Sequence, residues 1–217
     1  MARGKLIVME GLDGSGKATQ TGLLCQYLES RGRRVRHIEF PDYREPSSAL
    51  VKMYLNKEFG SNPGDVNAYA ASSFYAVDRY ASFLRFWRKD YLSGDRYTTS
   101  NAVYQMEKTP REDWNNYLAW LQDYEYRKLQ LPRPDLVLFL DMPTEISQRL
   151  LSGRYAGDER KKDLHESNVE FLTRCRRTAL YAAEAMGWHT VACSQEGAPR
   201  KIEDIQRDIR EIVSQKL

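Results

Sequence analysis

The sequence predicts an α/β fold in which a parallel sheet of about five strands is flanked by helices on both faces. Three observations predict it. Two apolar runs, KLIVM at residues 5–9 and LVLFL at 136–140, are short and continuous, as strands buried on both faces are. Segments with helical periodicity alternate with strand-like runs along the chain, the order that builds a parallel sheet. The first run is followed at once by a glycine-rich turn, Gly11-Leu-Asp-Gly-Ser-Gly16, that opens a helix.

The elements follow in order. After the turn, Leu23, Leu24, Tyr27 and Leu28 form one stripe of a helix that stops at Arg31-Gly32, and residues 34–40 read as a second strand, completing a βαβ unit. Pro41 and Pro46 bracket a loop. Residues 47–57 and 66–88 read as helices, the second rich in Ala and aromatics. Pro110 suits a first helical turn behind a Thr109 cap, and Trp114, Tyr117, Leu121 and Tyr124 recur at helical spacing through Leu129 as a core stripe. Asp141 and Pro143 end the 136–140 strand, residues 144–151 begin a helix, a charged stretch at 153–166 interrupts, and helix resumes through Met186. A last strand at about 188–193 precedes an amphipathic terminal helix carrying Ile202, Ile205, Ile209 and Ile212. One domain spanning residues 1–217 accommodates all of it, since a chain of this length buries a full core without dividing.

Composition narrows the function classes. Hydrophobic residues make up 41% and charged residues 29% of the chain, a packed globule rather than a disordered segment. A net charge of +3, from 33 basic and 30 acidic residues, is far from the excess of a dedicated nucleic-acid binder and suits a small anionic ligand. Cys25, Cys175 and Cys193 are odd in number and outside any metal-ligand spacing, so a reducing cytoplasm is the expected compartment. The opening MARGKLIVMEG is too short for a signal-peptide core, and no apolar run reaches membrane-spanning length, so no membrane partner is expected.

Gly11-Leu12-Asp13-Gly14-Ser15-Gly16-Lys17-Ala18 matches G-x-x-x-x-G-K between a strand and a helix, a phosphate loop at residues 11–18 that places the sheet in the P-loop NTPase type. Glycines let successive N–H groups turn inward as an anion nest, the helix N-terminus adds positive potential, and Lys17 bridges phosphate oxygens. These eight residues and Thr19 are the candidate cradle for a nucleoside triphosphate. One position departs from the pattern: Ala18 stands where a Ser or Thr hydroxyl normally ligates Mg²⁺. Thr19 cannot replace it, because adjacent helical residues point about 100° apart. Asp95 is the candidate carboxylate for the metal.

Motors, switches and kinases share this loop, so the acceptor side decides the function. Three further segments do so: Phe40-Pro-Asp-Tyr-Arg44, Phe74-Tyr-Ala-Val-Asp-Arg79, and Asp95-Arg-Tyr-Thr-Thr-Ser-Asn-Ala-Val-Tyr-Gln105. With Glu10-Gly-Leu-Asp13 they resemble the thymidylate kinases in order and spacing, from about Lys5 to the C-terminus. The resemblance implies transfer of the γ-phosphate of Mg²⁺-ATP to dTMP, and assigns roles by position. Asp13 would accept a hydrogen bond from the sugar 3′-hydroxyl. Arg96 and Arg44 would hold the acceptor phosphate. Tyr75 would stack on the thymine, and Arg79, one turn later on the same helix face, would reach a base carbonyl. Phe40, Pro41, Ser100, Asn101 and Gln105 would line the pocket, with Tyr104 crowding the sugar 2′ position. The family also implies a homodimer through helices such as 66–88.

The charged stretch at about 152–166, with Arg154, Gly157, Arg160, Lys161 and Lys162, is the candidate mobile basic lid, because phosphoryl transfer needs cations over the migrating group and water excluded. Some thymidylate kinases carry an arginine inside the phosphate loop. Here that position is Gly14, so the chain resembles the class with a lid arginine: Arg154 first, Arg149 on the preceding helix, Arg160 third. The segment WRKDYLSG at 87–94 is short and polar where relatives have an apolar strand entering Asp-Arg-Tyr. Either the preceding helix ends early and residues 91–96 form the strand, or the central strand is damaged and Asp95 and Arg96 are misplaced; a truncated central strand also implies low stability. Two other functions compete: a kinase for another pyrimidine monophosphate such as dUMP, and a nucleotide-binding relative impaired in catalysis through Ala18 and that strand.

Overall fold

A computed structural model gives the structure of residues 5–87, 93–95, 97–154, 165 and 168–216, with the backbone alone at 93–95 and 153–154. The chain runs β1 (Ile7–Gly11), α1 (Lys17–Ser30), β2 (His37–Glu39), α2 (Ala49–Leu55), α3 (Ala68–Ser82), β3 (Ser93–Asp95), α4 (Thr99–Tyr104), α5 (Trp114–Gln122), β4 (Leu136–Asp141), α6 (Thr144–Arg154), α7 (Val169–Met186), β5 (His189–Ala192), a hairpin of β6 (Ser194–Gln195) and β7 (Ala198–Pro199), and α8 (Ile202–Lys216). The five long-range strands form one parallel sheet in the order β2-β3-β1-β4-β5.

Alternation along β1 and β4 explains why both faces are covered. Ile7, Met9, Leu136, Leu138 and Leu140 face Leu24 of α1 and Ile205, Ile209 and Val213 of α8. On the other face Phe139 lies among Val103, Tyr117, Leu121, Phe171 and Leu172, brought by α4, α5 and α7. β2 is shorter than the predicted 34–40 run because it is an edge strand with one neighbour and largely solvated side chains.

The polar segment before Asp95 resolves in favour of an early helix end. α3 stops at Ser82 and continues as a wide π-type turn over Phe83–Trp87, after which β3 pairs with β1 on one side and β2 on the other. Its sequence, Ser-Gly-Asp, supplies no apolar side chain to the sheet. Trp87 fills that space instead: fully buried, it packs against Phe40, Phe83 and Tyr97 beside Leu6 and Val8 of the neighbouring layer. Aromatic area from a flanking turn thus stands in for apolar strand side chains.

The helix expected to run to Leu129 also widens, at Asp123–Lys128, where the Leu129 N–H reaches the Tyr124 carbonyl five residues back. Two elements escaped the sequence reading: α4, hidden inside the Asp-Arg-Tyr segment, and the β6–β7 hairpin.

Candidate active site

The phosphate loop lies at the carboxyl end of β1, the central strand, where ligands of open parallel sheets gather. Gly14 and Gly16 have φ of +80° and +90°, values that a side chain strains. At Gly14 sterics forbid one as well: a Cβ there would stand 2.6 Å from the Ser147 carbonyl oxygen of α6. An arginine at this position does not fit the packing, consistent with a cation supplied from elsewhere. Lys17, the first residue of α1, is buried and donates to the carbonyl oxygens of Gly11 (2.7 Å) and Leu12 (2.9 Å), with the Asp13 carboxylate 3.7 Å away. Ala18 and Thr19 are exposed on the first turn of α1.

A pocket adjoins the loop. Phe40, Pro41, Tyr75, Arg79, Ser100, Asn101, Tyr104 and Gln105, eight of the predicted acceptor residues, line it together with Tyr97 and His165. Three elements converge: the loop after β2, the middle of α3, and α4. Asp78 of α3 fixes the first by accepting from the Asp42 amide (3.3 Å) and the Ser47 hydroxyl (2.6 Å), and burial pushes its carboxyl up. The Tyr104 hydroxyl donates to Asp13 at 3.1 Å, which ties pocket to phosphate loop. The His165 ring stacks on Tyr104, centroids 5.3 Å apart and planes within 9°, and its Nε2 meets the Tyr54 hydroxyl at 2.9 Å. Among the described residues the buried Oε1 of Gln105 has no hydrogen-bond partner, an acceptor in waiting on the pocket wall.

Other predicted residues stand apart. Arg44 lies outside the pocket, fully solvated and paired with Asp42 at 3.1 Å; that hydrogen bond holds the Asp42 carboxyl below its ordinary value. Arg149 is exposed and donates to the Gly197 carbonyl in the β6–β7 turn at 3.0 Å. Arg154 closes α6 and Asp95 closes β3, each by its backbone alone. Arg96, Gly157, Arg160, Lys161 and Lys162 lie outside the described residues. Among the described residues no group of three His, Cys, Asp or Glu side chains could hold a metal ion, and no helix is long and apolar enough to cross a membrane. Among the described residues Cys175 and Cys193 are buried and form no disulfide.

Two buried carboxylates were missed. Glu10, wholly buried at the end of β1, accepts from the Gly11 amide (2.9 Å), the Thr99 hydroxyl (2.8 Å) and the Ser100 hydroxyl (2.7 Å), joining the phosphate loop to α4. Glu125, also wholly buried, holds Arg79 and Asn101. Burial alone would lower the Arg79 pKa, yet Glu125 holds it above its ordinary value. Burial pushes the Glu125 carboxyl up, but the guanidinium and the Asn101 amide both favour its ionised form, so the two stand as an ion pair. A signal for each existed: Glu10 ends an otherwise apolar strand, and Glu125 falls four residues after Leu121 on the buried stripe.

A family model described as thymidylate kinase matches residues 9–209. The thymidylate kinase of Mycobacterium tuberculosis is 31% identical over 190 residues, covering 84% of this chain and 87% of that one. A probable thymidylate kinase of Thermococcus gammatolerans is 30% identical over 221 residues, covering 99% and 98%. The solved thymidylate kinase of Candida albicans superposes with a TM-score of 0.72 at 24% identity over 99% of this chain and 93% of its own, a likeness of fold.

Proposed function

Since the chain belongs to the thymidylate kinase family, we propose that it transfers the γ-phosphoryl group of ATP to dTMP, giving dTDP and ADP, by direct in-line displacement within a single nucleoside monophosphate kinase domain. The observation that carries this reading is the Tyr104–Asp13 contact at 3.1 Å, because it sets a pocket for the acceptor against the loop that cradles the donor.

The donor phosphates sit on the amides of residues 11–16, and Lys17 leaves the Gly11 and Leu12 carbonyls to bridge phosphate oxygens. In the acceptor pocket Tyr75 stacks on thymine, Arg79 donates to a base carbonyl, Asn101 and Gln105 complete the polar contacts, and Phe40 and Pro41 close the apolar side. Asp13 orients the sugar 3′-hydroxyl while Tyr104 crowds the 2′ position. Arg96 and, after the Asp42 pair opens, Arg44 hold the acceptor phosphate. Arg154, with Arg149 behind it, neutralises charge on the migrating group from a lid at about 152–166.

Mg²⁺, when bound with ATP, would supply positive charge to the donor phosphates. Ala18 brings no hydroxyl, so such an ion would keep most of its water, and Asp95, whose backbone ends the strand beside β1, would be the residue to hold that water. A cytoplasmic homodimer completes the reading, the dimer supported by Tyr69, Val77 and Leu84, which stand exposed along α3 and the turn after it. Thermal melting tests the binding half of the proposal. Excess dTMP should raise the melting temperature by several degrees and UMP should not, whereas no shift with dTMP would count against the assigned pocket.

A further inference from the structure

The base end of the acceptor pocket is built on a buried network. Glu125 Oε2 accepts from Arg79 Nε at 2.8 Å, and Oε1 accepts from Arg79 Nη2 and from Asn101 Nδ2, the latter at 3.1 Å. Asn101 Nδ2 also donates to the Ser72 carbonyl oxygen at 3.3 Å. Both partners of that nitrogen are pure acceptors, so the amide has one orientation open to it. Its nitrogen faces Glu125, and Oδ1 lies on the other side; among the described residues no donor is bonded to Oδ1. The carboxylate likewise occupies the Nε and Nη2 edge of the guanidinium, which leaves Nη1 as the edge that can serve the pocket.

We propose that Glu125 is a positioning residue that sets base specificity: by fixing the polarity of Asn101 and Arg79 it presents an acceptor beside a donor. This rests on the pocket being the dTMP site. A 4-oxo pyrimidine offers an acceptor at O4 beside a donor at N3–H, which matches that pair group for group. A 4-amino pyrimidine offers a donor beside an acceptor, which opposes both contacts and leaves buried polar groups unpaired. Sites built from fixed, desolvated hydrogen-bonding groups discriminate strongly for this reason. Glu125 touches no substrate atom and acts wholly through its two partners.

The test compares kcat/KM for dTMP and dCMP, at saturating Mg²⁺-ATP, in the wild-type protein, E125Q and E125D. In E125Q the new amide nitrogen opposes an Arg79 donor in either orientation, so the guanidinium loses its two-bond hold and its counter-ion and no longer presents a fixed donor edge to the pocket. The preference for dTMP over dCMP should then fall about tenfold or more, while the KM for ATP stays within about twofold. In E125D the carboxylate and its charge are kept, one methylene shorter, so a counter-ion and acceptor for Arg79 and Asn101 remain. The preference should stay within about threefold of wild type. A merely structural role predicts something else: lower stability and a parallel fall for both substrates, so an unchanged dTMP to dCMP ratio in folded E125Q overturns the proposal. If E125Q does not fold, E125D, which keeps the charge, decides, retained preference supporting the proposal and lost preference overturning it. Absence of dTMP turnover in the wild-type arm would instead sink the functional reading, and would be seen before any variant is assayed.

Discussion

Glu10→Gln probes how the phosphate loop and the acceptor pocket are held in register. The carboxylate is wholly buried and accepts three hydrogen bonds, from the Gly11 amide at the start of the loop and from Thr99 and Ser100 at the start of α4. A glutamine retains one acceptor oxygen. If that oxygen keeps the Gly11 bond, the new amide nitrogen faces two hydroxyls that must reverse, and all three charge-assisted bonds become neutral ones. Charged hydrogen bonds contribute about 1 kcal/mol more than neutral ones, so the change costs about 3 kcal/mol. For a domain of this size that is about 6–12 °C in melting temperature. Calorimetry would read the stability and a coupled assay the kinetics. Because Ser100 lines the pocket, kcat/KM for dTMP should fall about tenfold, with the loss appearing in kcat as well as KM. A variant melting within about 1 °C of wild type, with unchanged kcat/KM, would refute the coupling role.

Three further perturbations have defined outcomes. Arg154→Ala should lower kcat by about three orders of magnitude with the KM for dTMP little changed, and turnover within a few-fold of wild type would move the catalytic cation elsewhere. Gly14→Ala should destabilise by about 1–3 kcal/mol and impair ATP binding, since its Cβ meets the Ser147 carbonyl at 2.6 Å and φ is +80°; equal stability in denaturant titration would show that α6 yields easily. Burial pushes the Lys108 amine down to about 7 from its ordinary 10.5. Between those values the unfolded chain binds the extra proton, so stability rises with pH across that window and is constant in this respect below it. The melting temperature of wild type relative to Lys108→Met should therefore climb from about pH 7 to pH 9, and parallel curves would contradict the shift.

The legible parts of this protein were those written in local chemistry. The loop from Gly11 to Lys17 declares itself because an anion nest needs glycines and a lysine at fixed spacing, and eight acceptor residues read from three short segments line one pocket. The partners of Glu10 and Glu125 were not legible, because they lie 89 to 90 and 24 to 46 residues away and only the folded chain brings them together. The compensation at β3 was hidden for a related reason: Trp87 belongs to a turn, and nothing local says that its ring replaces the side chains that Ser-Gly-Asp lacks. Arg44 shows the converse, a residue of the right type in the right segment that pairs with Asp42 outside the pocket.

The most direct test of the account is release of ADP by the purified protein with Mg²⁺-ATP and, separately, dTMP, dUMP, dCMP, dGMP, AMP and UMP. The account predicts turnover selective for dTMP. Faster turnover of another monophosphate would contradict the assignment of the pocket, and binding of dTMP without turnover would mean that Ala18 and the lid no longer support transfer.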